Sequence, residues 1–232
     1  MLFRSSVIGS IDGSYEGAGA NGSETYLSGS VRVRPSSALE VSIAPTLELL
    51  WDGAQYIRTV PDVLATSTFG KRYVFATLRQ RTLSISGRAD WTLTPALSFQ
   101  LFAQPFVSTA RFAGYKELRT PGKYAFDVYG SDRGTVTTLD DGRFQIDPDG
   151  AGSASPFTLG GSNERSFALH ALRVNAVLRW EYRGGSSIYV VWQQSRDGDG
   201  LLDDDYQGRI NRVLDVPAKN VLLVKASYRV GR

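Results

Sequence analysis

The feature that most restricts the fold of this chain is a strict two-residue period between residues 171 and 194. In the first half of that stretch the even positions are apolar: Leu172, Val174, Ala176, Leu178, Trp180 and Tyr182. The odd positions are almost all polar or charged, and they include Arg173, Asn175, Arg179 and Glu181. Successive side chains of a β-strand point to opposite faces of the sheet. The stretch therefore predicts a strand with one apolar and one polar face.

The same alternation recurs along most of the chain and predicts about eight strands with almost no helix. The alternating runs occupy residues 7–15, 25–34, 39–51, 83–93, 97–107, 172–182, 188–194 and 221–230. The alternation is weaker in the first two runs, and in 188–194 both faces carry apolar residues. Short polar turns, such as TPAL at 94–97, join some neighbouring runs. Longer connections join the others, at about 52–70, 113–166 and 197–219. We expect residues 1–232 to form a single β-barrel domain or the C-terminal barrel segment of a longer protein.

Composition excludes several kinds of chemistry. The chain has no cysteine and a single histidine, His170, which excludes thiolate metal sites, cysteine nucleophiles and multi-histidine metal sites. Its net charge of +3 comes without a dense basic run, so we expect no nucleic-acid partner. No window is apolar enough for a transmembrane helix. Transmembrane strands, however, alternate apolar and polar residues and have a low mean hydropathy.

The apolar face has two candidate environments, a protein interior and lipid. A soluble β-barrel that binds an apolar ligand would show the same alternation. Three features favour lipid. The runs of about 11 residues match the length of a membrane-crossing strand, and short and long connections alternate along the chain. The third feature is the presence of aromatic residues on the apolar face close to short turns. These aromatic residues are Trp91, Trp180 and Tyr182, and we expect them to form a lipid-facing girdle at the periplasmic interface.

The fold class expected on these grounds is all-β, an antiparallel transmembrane β-barrel in the bacterial outer membrane, in contact with membrane lipid. Its polar face would then line the lumen. The residues expected there carry charges of both signs or amide groups: Arg88, Asp90, Arg173, Asn175, Arg179, Glu181, Lys225 and Arg229. Eight strands would close as a narrow barrel filled by side chains, or would form part of a larger barrel with a real lumen.

Three stretches carry a family resemblance: YVFATLRQRTLSISGRADWTLTPALSFQLFAQPFVSTARF (73–112), ALRVNAVLRWEYRGGSSIYVVWQQ (171–194) and NVLLVKASY (220–228). From about residue 24 to its end, the chain resembles a bacterial family of unknown function. Its members carry a C-terminal outer-membrane-type β-barrel, commonly preceded by a domain similar to family-nine carbohydrate-binding modules. The resemblance implies a larger barrel and an upstream carbohydrate-binding domain or partner protein, and it supplies no catalytic residues. The ending YRVGR departs from the usual terminal aromatic, which Tyr228 would replace slightly inset.

Two groups of charged residues suggest ligands. The first is an acidic stretch that contains Asp197, Asp199 and Asp203, whose carboxylates could bind calcium. This stretch lacks the EF-hand pattern, and a solvated outer loop is the alternative interpretation. Arg79 and Arg81 share parity with the apolar residues that follow them. They would either face outward and bind the phosphates of lipopolysaccharide or be turned inward by a bulge. We expect no other cofactor.

The function expected is that of a porin-like outer-membrane protein that passes or binds a solute or anchors a partner, with no enzymatic activity. One alternative is a soluble β-barrel that binds an apolar ligand. The other is an outer-membrane enzyme, which would need a catalytic Ser/His/Asp set. His170 shares parity with Leu172 and Val174 on the apolar side, and this position disfavours an enzyme.

Overall fold

A computed structural model describes residues 6–17, 19–161, 164, 166–200 and 206–230. The fold is all-β, and eight long strands form one antiparallel sheet. These are β1 (Ser6–Gly17), β2 (Gly22–Ser36), β3 (Leu39–Pro61), β4 (Lys71–Thr94), β5 (Leu97–Leu118), β10 (Phe167–Arg183), β11 (Ser186–Asp199) and β12 (Lys219–Ser227). They follow one another in the order β1-β2-β3-β4-β5-β10-β11-β12. The predicted set of about eight antiparallel strands is confirmed.

Short turns at residues 37–38, 95–96 and 184–185 all lie at one end of the sheet, which we name the turn end. The opposite end, the loop end, carries the longer connections 62–70, 119–166 and 200–218. Gly185 supports the last short turn because its φ of 77° is a conformation that residues with a Cβ rarely adopt.

The strands are longer at the loop end than the sequence pattern indicates. β3 continues to Pro61, so the connection expected from residue 52 starts ten residues later. β5 continues to Leu118 and β11 to Asp199, whereas their connections were expected from 113 and 197. In β3 and β5 the extension accompanies register shifts, at Asp52/Gln55 and Tyr56/Arg58 in β3 and opposite Phe75/Thr77 in β5. Each shift interrupts the two-residue period while strand pairing goes on.

The connection 119–166, which we name the folded connection, has structure of its own. Strand β6 (Phe126–Val128) extends the large sheet beside the end of β5. A separate three-stranded sheet follows, formed by β7 (Thr135–Thr138), β8 (Phe144–Asp147) and β9 (Phe157–Leu159). A buried apolar cluster holds these parts together, with Val74, Ala76, Tyr115, Tyr129, Ile146 and Leu159 as its members. The long connection is therefore an ordered unit packed on the ends of β4 and β5.

The two edges of the large sheet are open. Within the described residues, β1 pairs only with β2 and β12 pairs only with β11, so the sheet does not close into a barrel. Every residue of both edge strands is exposed. One short helix, α1 (Tyr206–Arg212), lies between β11 and β12. No helix among the described residues has the length and apolar character that a membrane crossing requires.

Candidate functional site: a two-faced sheet with a folded connection

Strand register gives all eight strands one common face that is rich in apolar side chains, which we name the apolar face. One row of directly opposed residues crosses the whole sheet: Val7, Val33, Val41, Ala89, Leu101, Ala176, Trp192 and Leu222. Many of the larger apolar side chains on this face are exposed, and Leu222 retains 68% of its accessible surface. An apolar surface of this extent marks an interaction surface, because monomeric soluble proteins rarely expose one.

The predicted girdle residues lie at the turn end of the apolar face. Trp91 is opposite Leu39 and Phe99, and Trp180 is opposite Leu97 and Ile188. The rings of Trp180 and Tyr182 meet edge to face, with centroids 6.0 Å apart. All three aromatic side chains remain exposed. The structure thus groups these side chains at one level of the apolar face.

The opposite face, the polar face, carries seven of the eight residues expected to line a lumen: Arg88, Asp90, Arg173, Asn175, Arg179, Glu181 and Lys225. Several of them make polar contacts on that face. Asp90 accepts a hydrogen bond from the Gln100 amide at 2.9 Å, and Arg179 lies 3.4 Å from the Glu181 carboxylate. The eighth residue, Arg229, lies beyond the end of β12 at Ser227, where no strand pairing assigns it to a face. The run expected to reach residue 230 therefore ends earlier.

The folded connection covers the polar face at the loop end. Along β4 the buried positions alternate strictly: Arg72, Val74, Ala76 and Leu78 are all buried. These positions belong to the same face as Thr82 and Arg88 further along the strand, because β4 has no extra residue between 72 and 88. The apolar cluster of the folded connection therefore lies on the side of the sheet that carries the polar residues.

A bulge in β5 completes this arrangement. Phe75 is opposite Lys116 and Thr77 is opposite Ala113, so two residues of β5, Gly114 and Tyr115, correspond to one residue of β4. Gly114 has a φ of 60°, as a glycine bulge requires. The extra residue turns Tyr115 and Glu117 toward the covered face, where both are buried.

Glu117 is the centre of a buried charge network beneath the folded connection. One guanidinium nitrogen of Arg72, Nη1, donates to both Glu117 carboxylate oxygens, at 2.9 and 2.7 Å. The Tyr129 hydroxyl donates to Glu117 Oε2 at 2.6 Å, and Arg133 Nη1 also donates to this carboxylate. Arg72 Nε donates to Asp62 Oδ2 at 2.7 Å. The network joins β4, β5, the connection 62–70 and the folded connection.

This environment shifts the protonation of several groups. Burial opposes ionisation of Asp62, but hydrogen bonds from the Leu64 N–H and from Arg72 outweigh it, so the pKa of Asp62 is lowered. Burial also acts against the charge of Arg72, yet Glu117 and Asp62 raise its pKa. Burial, reinforced by Glu117, raises the pKa of the Tyr129 hydroxyl. Asp62 and Arg72 are therefore charged, and the Tyr129 hydroxyl is a neutral donor, across the physiological pH range.

A second set of contacts holds the end of the folded connection. Arg58 Nη1 lies 3.2 Å from Glu164 Oε1, and Arg58 Nη2 donates to the Thr158 carbonyl at 2.6 Å. The N–H groups of Gly160 and Gly161 donate to Glu164 Oε2 at 2.8 and 2.7 Å. The Tyr115 hydroxyl donates to the Glu164 carbonyl at 2.6 Å. Burial and the Glu164 charge raise the pKa of Tyr115 to about 12.

The acidic stretch suggested for calcium falls partly in a strand. Asp197 and Asp199 belong to β11, and Asp197 Oδ1 accepts a hydrogen bond from Arg173 Nη2 at 2.5 Å. Asp203 lies outside the described residues. No cluster of three or more acidic or histidine side chains occurs in the described part of the chain, so calcium binding stays a prediction. The two aspartates instead line an open groove of about 520 Å³ on the polar face, together with Gln104, Phe106 and Arg173.

Sequence reasoning did not identify Arg58, Asp62, Arg72, Glu117, Arg133 or Glu164. All six lie in or beside stretches predicted as long connections, and their partners are distant in the sequence. Comparison with known proteins does not assign this chain to a family, because no family model, curated protein or solved structure matches it. The resemblance to a barrel family of unknown function therefore stays a prediction.

Proposed function

We propose that this chain forms wall strands of an outer-membrane β-barrel that passes or binds a polar solute, with an entrance narrowed by the folded connection. The observation that carries the proposal is the row of opposed apolar residues that crosses all eight strands, from Val7 to Leu222. Exposure of such a face to water is unfavourable by roughly 25 cal/mol for each Å² of apolar surface. Lipid removes this cost, and a β-sheet spans lipid only as part of a closed barrel.

The open edges favour a larger barrel. In lipid, an unpaired strand edge would leave backbone N–H and C=O groups without partners, at a cost of several kcal/mol for each group. Strands β1 and β12 would therefore pair with further strands, from another part of the protein or from another copy. A barrel of more than eight strands has a lumen wider than its side chains fill, which suits passage of a solute better than anchoring alone.

The polar face supplies what such a lumen needs. It presents separated charges of both signs, as in the exposed pairs Arg173–Asp197 and Arg179–Glu181. Mixed charges of this kind favour polar solutes over apolar ones and set selectivity through their local fields. The folded connection occupies the loop end of this face and would restrict the opening there. The groove lined by Arg173 and Asp197 is the contact site that we propose for the solute.

Cysteine labelling tests the membrane assignment directly, because the chain has no cysteine of its own. Leu178→Cys places a label on the apolar face, and the neighbouring Val177→Cys places a matched label on the polar face. The full chain is expressed in a bacterial host, and each variant carries an environment-sensitive fluorophore. Brominated lipids should quench the label at 178, whereas aqueous iodide should quench the label at 177.

The outcome separates the proposal from its alternative. A soluble barrel with an apolar interior would fractionate without membrane, and brominated lipids would quench neither label. Lipid quenching at both positions, or at neither, would contradict the two-faced wall. In a series of single-cysteine variants along β10, from 173 to 180, quenching by brominated lipids should alternate from one residue to the next.

A further inference from the structure

The register of β4 decides the orientation of two arginines that the sequence pattern leaves open. Leu83 is opposite Leu47, Arg81 is opposite Leu49 and Arg79 is opposite Trp51, with no register shift among them. Pairing with β5 is equally regular over this stretch. Arg79 and Arg81 therefore lie on the apolar face, directly beyond its apolar band, and the inward orientation is wrong.

The height of the two arginines matches the border of a membrane. Trp91, at the turn end, lies ten residues from Arg81 along β4, which is about 33 Å at 3.3 Å per residue. A strand tilted by about 40° spans roughly 25 Å of height over that length, which is the height of the apolar band of outer-membrane barrels. If Trp91 lies at one interface, Arg81 lies at the other, on the side of the long connections.

Within the part of the chain that the structure describes, the charges of Arg79 and Arg81 have no counter-charge. Both side chains are exposed, and among the described residues no carboxylate lies within ion-pair distance of either. Arg79 is directly opposite Arg111 on β5. Arg111 has a contact of its own, so the site rests on Arg79 and Arg81.

Aromatic side chains lie beyond the two arginines on the same face of β4. Phe75 contacts Tyr56 and Phe126 edge to face, with centroid distances of 5.7 and 5.1 Å, and Lys116 Nζ lies 5.1 Å from the centre of the Phe126 ring. Aromatic rings of this kind prefer the headgroup level of a membrane. The order from the turn end is therefore apolar band, arginines and aromatic cluster, which follows the order of acyl chains, phosphates and sugars in a glycolipid.

We infer that Arg79 and Arg81 bind the phosphate groups of lipopolysaccharide, an inference that rests on the proposed function. In an outer-membrane barrel the long connections lie outside the cell, so this border meets the outer leaflet. The backbone rises about 6.6 Å between alternate residues of a strand, so Arg79 and Arg81 are neighbours on one face. Each guanidinium group presents a planar fork of donors. Such forks match phosphate oxygens bidentately, and an anionic partner strengthens each hydrogen bond.

The test measures lipopolysaccharide binding by the membrane-inserted full chain. The double variant Arg79→Gln/Arg81→Gln should lower the apparent affinity for fluorescent lipopolysaccharide by about tenfold or more, because each charged hydrogen bond contributes roughly that factor. The matched control Arg88→Gln removes an arginine from the polar face of the same strand and should leave the affinity unchanged. Arg79→Lys/Arg81→Lys should retain part of the affinity, since the charge remains but the fork is lost.

Lipid chemistry provides the second arm. Removal of the lipid phosphates should lower binding by the wild-type chain to the level of the double variant, and millimolar inorganic phosphate should not compete. Equal binding by wild type and double variant, or full competition by inorganic phosphate, would overturn the lipid site. Insertion is scored separately by the labels at 178 and 177. A chain that fails to insert overturns the proposed function and this inference, whereas an inserted chain with unchanged affinity overturns only the lipid site.

Discussion

Arg72 and Glu117 form a nearly fully buried ion pair that ties β4 to β5 beneath the folded connection, with each residue 4% exposed. Both residues have further hydrogen-bond partners. Glu117 also accepts hydrogen bonds from Tyr129 and Arg133, and Arg72 donates one to Asp62. A buried pair of this kind is costly to disrupt, since the remaining charge stays buried without compensation. The order of the folded connection should therefore depend on it.

Glu117→Gln is expected to destabilise the folded connection by about 3–5 kcal/mol, the range for removal of one partner from a buried ion pair. Amide hydrogen exchange across residues 119–161 should increase, while exchange in β10 and β11 should not change. Glu40→Gln is the matched control, because Glu40 pairs with the exposed Arg34 and Arg32. Loss of an exposed pair should cost at most about 1 kcal/mol. Equal exchange in the two variants would show that the buried network does not hold the connection.

Acid should loosen the folded connection before it affects the rest of the sheet. Asp62 and Glu164 have pKa values below their ordinary 3.8 and 4.5, because hydrogen bonds and arginine charges outweigh burial. A lowered carboxyl pKa contributes stability above the unfolded value, and this contribution is lost as the pH falls through the folded value. Protease cleavage within 119–161 should stay constant from pH 7 to about 4.5 and rise below it. Glu164→Gln should flatten this rise, and an unchanged profile would contradict the assignment.

Tyr115 should make the protein less stable at high pH, whereas the carboxyl groups reduce its stability at low pH. The pKa of Tyr115 is raised to about 12 from 10.0, so its contribution to stability is complete below pH 10 and is lost as the pH rises toward 12. The fluorescence-monitored urea midpoint of the wild-type chain should decline over this range. Tyr115→Phe should show a smaller decline, although it also loses the hydrogen bond to the Glu164 carbonyl at neutral pH. An identical decline in both would assign the effect to another group.

Gly114 provides a test of the β5 bulge. A Cβ at this position would meet no atom within 4 Å, so the cost of Gly114→Ala comes from the positive φ alone. We expect a loss of about 1–2 kcal/mol in the free energy of unfolding. Gly184→Ala is the matched control, since that site is equally open but has no left-handed φ, and its effect should lie within about 0.5 kcal/mol. Equal urea midpoints for the two variants would contradict the bulge geometry.

The edge strands provide a test of barrel closure. In the membrane-inserted protein the amides of β1 and β12 should exchange as slowly as those of β4, because further strands or a second copy would pair with their outer edges. In an open sheet they would exchange within seconds to minutes. Hydrogen exchange read by mass spectrometry over residues 6–17 and 219–227 distinguishes the two, and fast exchange there would contradict the barrel.

Local alternation along the chain was enough to predict the strands and their two faces. The alternation of apolar and polar residues is a local pattern, and the run from Leu172 to Tyr182 shows it whichever strand lies beside it. The short turns at 95–96 and 184–185 then determined which runs pair, because a tight turn leaves only the antiparallel neighbour within reach. The shared face of Arg173 and Arg179 could likewise be predicted, because both residues lie in one alternating run.

The structure of the loop end depends on long-range pairing and could not be predicted from local patterns. Register shifts interrupt the period there, so β3 and β5 continue through stretches that look like loops. Glu117 meets Arg72 across 45 residues of sequence, and Arg58 meets Glu164 across 106. Such partners follow from long-range pairing, which no local pattern contains. The outward orientation of Arg79 and Arg81 was likewise decided by pairing, since parity alone cannot exclude a bulge between them and Leu83.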